Sequence, residues 1–461
     1  MFFLIPASGA NNMKDTIVAL ATPLGRSGIG VIRLSGADSL GIVRKLVRNE
    51  NFSPKPRVAS LQKIYDLETE ESIDETLITY FQLPQSFTGE DVFEISGHGS
   101  PVILRQIIDF CLKLNARMAD AGEFSLRALA NGRMNLSQAE AIRDLIEAQT
   151  VAAARQSIRQ LHGELSGQLQ PLKDNLLDVV VILESSLEFV EDDLPDFQIE
   201  KVKADLQDIV KDLREMALTF QSGKLLREGL RVALVGRPNV GKSSLFNALL
   251  GTDRAIVTEI AGTTRDQLHE KFTVNNIPIS LIDTAGLRET SDVVESIGVE
   301  RSRRAIIDAD LVIVLLDGSE SLTAEDEKII AQVEELNYLI VVNKCDLGQS
   351  KIENSNNSKK LRISAKTKQG LDELKKAIIE PFSAHSVENI GFLITDARHH
   401  DLLLRAVNEI ETSIALITGK ASEEIVLIGL HNAIRYLGQV TGETTTEDML
   451  TRIFSTFCIG K

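Results

Sequence analysis

The chain has 461 residues, 43% of them hydrophobic, and its 66 acidic against 50 basic residues give a formal net charge of −16. This length and apolar content predict several folded domains, and the negative charge argues against a protein that binds nucleic acid nonspecifically, although a local basic patch stays possible. The three cysteines, Cys111, Cys345 and Cys458, share no ligand-like spacing, which argues against structural zinc and favours a reduced, cytoplasmic protein.

The start of the chain precedes the first predicted domain. Residues 1–12 lack the basic start and the long apolar core of a signal peptide, and no run elsewhere approaches the roughly 18 to 20 apolar residues that cross a bilayer. We therefore predict no membrane span. We expect Met13 to be the true start, and residues 1–12 to be a disordered or mis-annotated tail.

Short β-rich runs and turn signals alternate over residues 13–131 and predict an α+β domain. Strands are expected at 16–21, 30–34 and 77–83, with a fourth after a loop that begins at Phe87, and helices are expected at 37–48 and from about Pro101. The glycine-punctuated loop at 22–29 is followed by a strand rather than a helix, so we interpret it as a turn and not as a phosphate site.

Helical patterns cover residues 132–228 and return over 385–461. Ser137 with Glu140 predicts a capping box that opens the first helix. Apolar residues three and four apart from Ile158 to Leu176 predict one continuous helix, and after a proline-containing break at 191–196 the same spacing predicts a second helix from Ile199 to Phe220. We interpret both apolar stripes as core rather than as a surface for a partner. Helices are expected again at 395–418 and 423–441, so the segment between, 229–384, is predicted to be a domain inserted into one helical domain.

The adjacent His399 and His400 lie in the first of these later helices. Neighbouring helical residues point apart, so we interpret both as surface residues rather than as a metal pair.

A complete G-x-x-x-x-G-K-S phosphate loop, from Gly236 to Ser243, lies between a predicted buried strand and a helix. Backbone N–H groups and the helix N-terminus would hold phosphates, Lys242 would reach the outer phosphates, and the Ser243 hydroxyl would bind Mg²⁺. A glycine-rich turn without function is the alternative, and the strand and helix around the motif argue against it.

Further motifs follow in the order that a GTPase requires. Asp283 ends a strand where its carboxylate can hold the metal, and Thr264, in a switch segment, matches a second Mg²⁺ ligand. Resemblance to Ras-like GTPases assigns Asp346 to the guanine edge, and the segment 364–366 to the back of the base. The residues expected to contact GTP are Asn239, Val240, Gly241, Lys242, Ser243, Ser244, Thr258, Thr263, Thr264, Asp283, Thr284, Ala285, Gly286, Asn343, Lys344, Asp346, Ser364, Ala365 and Lys366.

One position departs from Ras-like enzymes. Leu287 follows D-x-x-G where those enzymes place the glutamine that orients the attacking water. Because an aliphatic side chain cannot hydrogen-bond water, either hydrolysis is very slow or another group holds the water. Asn239, with carbonyls of a switch loop, could hold a monovalent cation where an arginine finger would otherwise act.

Over residues 13–461 the chain resembles the MnmE family, also called TrmE, of tRNA uridine-modifying GTPases. Several matching pieces lie outside the GTPase motifs: DTIVA at 15–19, ATP at 21–23, FTGED at 87–91, AGEFS at 121–125, RA at 127–128, NL at 135–136, QAEA at 138–141 and CIGK at 458–461.

The resemblance implies further ligands and a role for Glu295. It implies that Glu295 holds the attacking water through a second water and acts in catalysis with Lys242. It implies K⁺ at Asn239, Thr258, Ile260 and Thr263, with Mg²⁺ at Ser243 and Thr264. It also implies a tetrahydrofolate derivative, 5,10-methylene- or 5-formyl-tetrahydrofolate, at Arg33, Glu90, Arg133 and Lys461.

The resemblance finally implies a homodimer and a FAD-containing partner, MnmG, that together install an aminomethyl-type group at carbon 5 of the wobble uridine of certain tRNAs. Two alternatives stay open at this point. One is a regulatory GTPase switch in ribosome assembly, and the other is a folate-dependent enzyme that uses GTP only for regulation.

Overall fold

The computed structural model describes residues 15–188, 196–251, 269–283, 306, 308–348, 352, 360–382, 391–443, 447–458 and 460. The expected tail, the start at Met13 and residues 191–195 of the predicted break lie outside these residues. Contacts divide the chain into two compact units. The first comprises the chain up to Arg143 with Gln160–Gln170 and Ile434–Lys461, and the second comprises Asp144–Arg159 with Pro171–Ala433.

The N-terminal part is a six-stranded sheet in the order β3-β4-β5-β2-β1-β6, antiparallel except for the β1–β6 pair. Its strands are β1 (Ile17–Leu20), β2 (Ser27–Ser35), β3 (Ser60–Tyr65), β4 (Ser72–Phe81), β5 (Val92–Gly99) and β6 (Arg117–Met118), and its helices are α1 (Ser39–Leu46), α2 (Pro101–Lys113) and α3 (Glu123–Ala130). The four predicted strands, which are β1, β2, β4 and β5, and the two predicted helices of this part are present, whereas β3, β6 and α3 were not predicted.

The two faces of this sheet differ because side chains alternate along each strand. Ile32 and Leu34 of β2 belong to a buried apolar cluster with residues of α1 and α2. Arg33 and Ser35 therefore point to the opposite face, where Ile17 and Ala19 pack with Phe124 of α3. This second face carries the polar groups of one candidate site.

Five helices follow before the second sheet: α4 (Leu136–Glu147), α5 (Val151–Leu161), α6 (Glu164–Glu188), α7 (Asp196–Leu218) and α8 (Phe220–Glu228). Leu206, Ile209 and Leu213 of α7 are buried, so its apolar stripe is core, as predicted.

The second sheet has the order β12-β11-β10-β7-β9-β8 and is parallel except for the β8–β9 hairpin. Its elements are β7 (Leu230–Val235), α9 (Lys242–Leu250), β8 (His269–Val274), β9 (Ile277–Asp283), β10 (Leu311–Asp317), α10 (Ala324–Val333), β11 (Tyr338–Asn343), β12 (Leu361–Arg362) and α11 (Leu371–Ile379). In a parallel sheet the carboxyl ends of strands share one edge, so the predicted nucleotide motifs meet there. This is a P-loop GTPase fold.

The chain ends in α12 (Ala397–Thr418), α13 (Glu423–Thr441) and α14 (Glu447–Phe454). Helix α12 packs along α7, and Arg214 forms an ion pair with Glu411 at 2.6 Å. Helices from before and after the second sheet thus contact one another. Among the described residues, no helix combines the length and apolar character needed to cross a membrane.

The capping box of α4 lies two residues earlier than predicted. Asn135 Oδ1 accepts a hydrogen bond from Gln138 N at 2.9 Å, and Gln138 Oε1 accepts one from Asn135 N at 3.0 Å. Ser137, predicted as the cap, is already inside the helix and donates to Asn135 Oδ1. Asparagine is as good an N-cap residue as serine, and here the Asn135 side-chain carbonyl accepts from the third helical residue. The prediction of a capping box formed by Ser137 and Glu140 was therefore wrong.

The predicted continuous helix from Ile158 to Leu176 is two helices. Gly163 has φ +83° and separates α5 from α6, because a left-handed residue just after a helix ends it. Leu165 and Leu169 are fully buried, whereas Ile158 is 43% exposed and lies outside the packed stripe. The spacing predicted the core residues of α6 and missed the break.

The surface interpretation of His399 was wrong. Its side chain is 1% exposed, and its Nε2 lies 2.9 Å from an Arg398 nitrogen. His400 stacks on Phe220 with ring centroids 4.3 Å apart. The first turn of α12 contacts α8. The local sequence around the two histidines does not indicate this tertiary contact. Within the described ranges, no group of three or more side chains is arranged to hold a metal ion.

Candidate functional site

The loop between β7 and α9 is shaped by two glycines. Gly236 has φ +154° and Gly241 has φ +100°. A Cβ at Gly236 would collide with Leu315 O of β10, and one at Gly241 would collide with Asn343 Nδ2 of β11. Only glycine fits either place, so packing against the central strands fixes the loop. Backbone N–H groups of a loop at a helix N-terminus are suited to surround an anion.

The Lys242 ammonium lies over this loop. Its Nζ donates to Gly236 O at 2.6 Å and to Arg237 O at 2.9 Å. Ser243 and Ser244 are exposed in the first turn of α9. Their hydroxyl groups lie at the N-terminus of the helix, which is the positive end of its dipole. The loop therefore concentrates positive charge where nucleotide phosphates are expected.

Asn343 joins two of the predicted motifs. It is 2% exposed, its Nδ2 donates to Val240 O at 2.9 Å, and its Oδ1 accepts from Ala365 N at 2.9 Å. One amide thus fixes the phosphate loop relative to the segment from Ser364 to Lys366.

Asp346 is held by the same segment. The buried Ser364 donates its hydroxyl to Asp346 Oδ1 at 2.6 Å, and that hydrogen bond holds the pKa of the Asp346 carboxyl below its usual range. The nearby Lys366 adds a smaller effect of the same sign. An oriented, ionised carboxylate at this place suits two adjacent N–H donors of a guanine edge.

The other predicted nucleotide residues are only partly visible. Asn239, in the phosphate loop, is exposed with φ +65°. Strand β9 ends at Asp283, with Asp283 paired to Leu234 of β7, so its backbone lies beside the phosphate loop. The positions that lie outside the described residues are Thr258, Ile260, Thr263, Thr264, Thr284, Ala285, Gly286, Leu287 and Glu295.

A second cluster surrounds Arg33 on the N-terminal sheet. The guanidinium donates to Glu94 Oε1 through NH2 at 2.7 Å and to Gly460 O through NH1 at 3.0 Å. It also lies 5.7 Å from the ring centroids of Phe87 and Phe124. Since Gly460 is 427 residues further along the chain, the C-terminal residues complete an N-terminal site.

Gly460 is itself closely packed. Its φ is +96°, and a Cβ there would approach Leu20 O to 2.6 Å. The predicted Lys461 lies outside the described residues.

Glu90 lies on the same sheet face as Arg33. Its carboxylate accepts from Ser35 Oγ at 2.6 Å and from Arg127 NH1 at 3.2 Å. Arg33 and Ser35 are two residues apart on β2, so Glu90 and Arg33 share that face. Burial alone would lower the pKa of the 1% exposed Arg127, but Glu90 and Glu123 outweigh it and raise that pKa.

The loop that carries Glu90 is anchored from the end of α3. Arg133 Nε donates to Ser86 O at 3.1 Å, and Asn131 Nδ2 donates to Thr88 O at 2.7 Å. The structure therefore places the predicted Arg133 against the backbone four residues before Glu90. It brings Arg33, Glu90 and Arg133 to one region.

Comparisons with known proteins identify the family. The family model described as the MnmE helical domain matches residues 136–458, and the one described as the GTP-binding protein TrmE N-terminus matches residues 16–133. A tRNA modification GTPase MnmE from Aquifex aeolicus (strain VF5) is 43% identical over 451 residues, which cover 97% of this chain and 100% of that protein. The chain belongs to the MnmE family of tRNA modification GTPases.

A second relative of this MnmE-family chain, from Koribacter versatilis (strain Ellin345), has the same name and is 42% identical, covering 98% of this chain and 100% of the relative. Among solved structures, the FeoB G domain from Methanococcus jannaschii is 30% identical over 33% of this chain and 97% of that one, with a TM-score of 0.26. The family resemblance and the fold class drawn from the sequence are confirmed.

Two buried charged residues of this MnmE-family protein were not predicted from the sequence to belong to a site. Arg127, which orients Glu90, and Asp317, which binds Lys344, were not singled out as site residues. The available signal was a charge directly beside an apolar run, since Asp317 ends the wholly buried strand β10. Such a position is costly without a partner.

Proposed function

We propose that this MnmE-family protein is a K⁺-dependent GTP hydrolase that modifies carbon 5 of the wobble uridine of certain tRNAs. It acts with a FAD-containing partner, MnmG, and uses a tetrahydrofolate one-carbon donor to install an aminomethyl or carboxymethylaminomethyl group. The observation that carries the proposal is the presence, in one chain of this family, of a phosphate-loop site and a separate arginine–carboxylate site completed by Gly460.

The phosphate-loop site would hold GTP and Mg²⁺. Its two glycines let the loop pack against β10 and β11, and Lys242 lies over it, which fits a triphosphate. Ser243, with Thr264, would bind Mg²⁺, and Asp346 would select guanine. The other proposed contacts are Asn239, Val240, Gly241, Ser244, Thr258, Thr263, Asp283, Thr284, Ala285, Gly286, Asn343, Lys344, Ser364, Ala365 and Lys366.

Hydrolysis requires a group that orients the attacking water, because Leu287 occupies the position of the glutamine that does so in Ras-like enzymes. We assign the water-holding role to Glu295, acting through a second water, and transition-state charge stabilisation to Lys242 together with K⁺. The proposed K⁺ ligands are Asn239, Thr258, Ile260 and Thr263.

The Arg33 region would hold 5,10-methylene- or 5-formyl-tetrahydrofolate, which when bound supplies the one-carbon unit. A partly exposed guanidinium near two aromatic rings and an oriented carboxylate at Glu90 fit an aromatic ring system that carries polar edges. Arg33 and Glu90 would contact the ligand, Arg133 would support the Glu90 loop, and Lys461 would close the site.

The remaining assignments concern the assembly. The protein would act in the cytoplasm as a homodimer that binds tRNA. We propose residues 13–131 as the tetrahydrofolate-binding domain, 132–228 and 385–461 as the two halves of the helical domain, and 229–384 as the GTPase domain, with 1–12 a tail.

Mass spectrometry of total tRNA nucleosides from the source organism, with and without this gene, tests the proposal. The expected result is loss of a 5-substituted wobble uridine, restored by the intact gene. An unchanged nucleoside profile together with a ribosomal-subunit defect would instead favour a switch in ribosome assembly.

A further inference from the structure

The turn after β10, residues 317–320, contacts both ends of the proposed nucleotide site although it belongs to none of the predicted nucleotide motifs. Gly318 N donates to Asn343 O at 2.8 Å. On the base side, Lys344 Nζ donates to Asp317 Oδ2 at 2.5 Å, and on the phosphate side Arg237 donates to Glu320. This turn therefore bridges the phosphate loop and the segment that precedes Asp346.

Asp317 is fixed within that turn. Its side chain is 7% exposed, and its Oδ1 accepts from Ser319 N at 2.9 Å and from Ser319 Oγ at 2.6 Å. Burial acts to raise the pKa of Asp317, but the hydrogen bonds from Lys344 and Ser319 outweigh it and lower that pKa. Both oxygens are thus engaged, and the carboxylate is a rigid acceptor for the lysine.

Lys344 is constrained at both ends. Its backbone is left-handed, with φ +64°, which is unusual for a residue with a side chain, and its ammonium is bound to Asp317. A free lysine side chain has many rotamers, and holding the ammonium restricts its four-carbon stem. The stem is 30% exposed and lies two residues from Asp346, where a base would lie.

We propose that Asp317 is a positioning residue for the purine base: by holding the Lys344 ammonium, it places the lysine stem against the ring face, while Asp346 reads the ring edge. This inference rests on the nucleotide site proposed above. It adds the turn 317–320 to that site and assigns Asp317 a role in affinity rather than in hydrolysis.

The test uses the full chain with GDP and IDP as probes, because IDP keeps the purine face but lacks the exocyclic amine of guanine. Asp317→Asn should raise the Kd for both nucleotides about tenfold, as expected when one charge-assisted hydrogen bond of a positioning pair is lost. At saturating GTP its turnover should equal that of the wild type. Asp346→Asn should weaken GDP much more than IDP, and Asp372→Asn, an exposed acidic residue of α11, should change neither Kd.

A double-mutant cycle separates positioning from a general structural effect. Lys344→Met keeps most of the stem and removes the ammonium, so its effect and that of Asp317→Asn should not add. Ser319→Ala, which removes one bond to Asp317, should cause a smaller rise in Kd and provides a milder variant if Asp317→Asn does not fold.

Each contrary result has a distinct meaning. Wild-type Kd values in a folded Asp317→Asn protein would overturn the positioning role. Wild-type Kd values for Ser319→Ala, together with additive effects in the double-mutant cycle, would also overturn it. A loss confined to GDP would also overturn it, since the effect would then be on the ring edge. Failure of the wild-type chain to bind GDP would contradict the proposed function itself.

Discussion

At the scale of single residues, several charged side chains in this protein are held by a partner that sets their pKa. His98 is the clearest exposed case. Its Nδ1 lies 2.6 Å from Asp74 Oδ1, and its backbone N donates to Asp74 Oδ2 at 2.9 Å. The Asp74 side chain is 4% exposed and the His98 ring 74% exposed, so a buried carboxylate orients a ring whose other nitrogen faces solvent.

We predict that His98 titrates above 6.5, because the hydrogen bond that it donates to Asp74 and the negative charge of Asp74 raise the pKa of the His98 ring. The folded-state pKa is the higher one, so the stabilisation is complete below the unfolded value near 6.5 and is lost as pH rises through the folded value. NMR titration of the histidine ring signals measures this. Asp74→Asn should return the His98 pKa toward 6.5.

His400 is the internal control for that titration, since burial lowers its pKa. His98 should therefore lose its proton at a higher pH than His400. The same midpoint for both rings would show that Asp74 does not act on His98.

Asn239 carries the second prediction at this scale. It is an exposed phosphate-loop residue, and its amide oxygen is a suitable ligand for a monovalent cation. Replacing K⁺ by Na⁺ at equal ionic strength should slow GTP turnover about a hundredfold, the size expected when one group that stabilises transition-state charge is lost. Asn239→Ala should remove the difference between the salts, and equal wild-type rates in both would rule out the cation model.

At the scale of elements, apolar spacing predicted where helices bury their surface and did not predict where they begin and end. The buried leucines of α6 and α7 follow from spacing alone. The break at Gly163 and the cap at Asn135 are different: several nearby residue types could end or begin a helix, and the spacing does not say which one does. That choice is made by tertiary contacts: Asn135 also donates to Ser166 Oγ of α6 at 2.7 Å.

The cap can be tested by substitution. Asn135→Ala should destabilise the protein by about 1 kcal/mol or slightly more, because it removes both the cap and the bond to Ser166. Ser137→Ala, at the residue that the sequence favoured, should cost less. Urea unfolding followed by circular dichroism measures both, and a larger loss for Ser137→Ala would show that the cap was assigned to the wrong residue.

At the scale of the whole molecule, the nucleotide site was far more predictable than the Arg33 site. Positions such as Gly236 and Gly241 admit only glycine because any side chain would collide with a neighbouring strand. The sequence motif alone therefore predicts the conformation of this loop. Arg33 has no such local requirement, and its contact with Gly460 depends on how distant parts of the chain pack. From the sequence, only the family resemblance linked Arg33 to the C-terminal segment, and it did so through Lys461.

Removing the last two residues should therefore impair one site and spare the other. A chain ending at residue 459 loses the acceptor for Arg33 NH1, and we expect about tenfold weaker binding of 5-formyl-tetrahydrofolate, with GTP turnover in K⁺ unchanged. Lys461→Ala keeps Gly460 and separates its contribution from that of the final lysine. Equal losses for both variants in a titration would assign the whole effect to Lys461.

The hydrogen bond from Arg33 to Gly460 can form only after nearly the whole chain has been synthesised. At about 5 to 20 residues per second, a ribosome needs roughly 20 to 90 s to translate the 427 residues between them. The N-terminal sheet can fold early in that interval, yet the surroundings of Arg33 stay incomplete throughout it. Nascent chains and fragments from interrupted translation thus lack a finished Arg33 site, and if this site holds the proposed one-carbon donor, such incomplete chains would capture little of it.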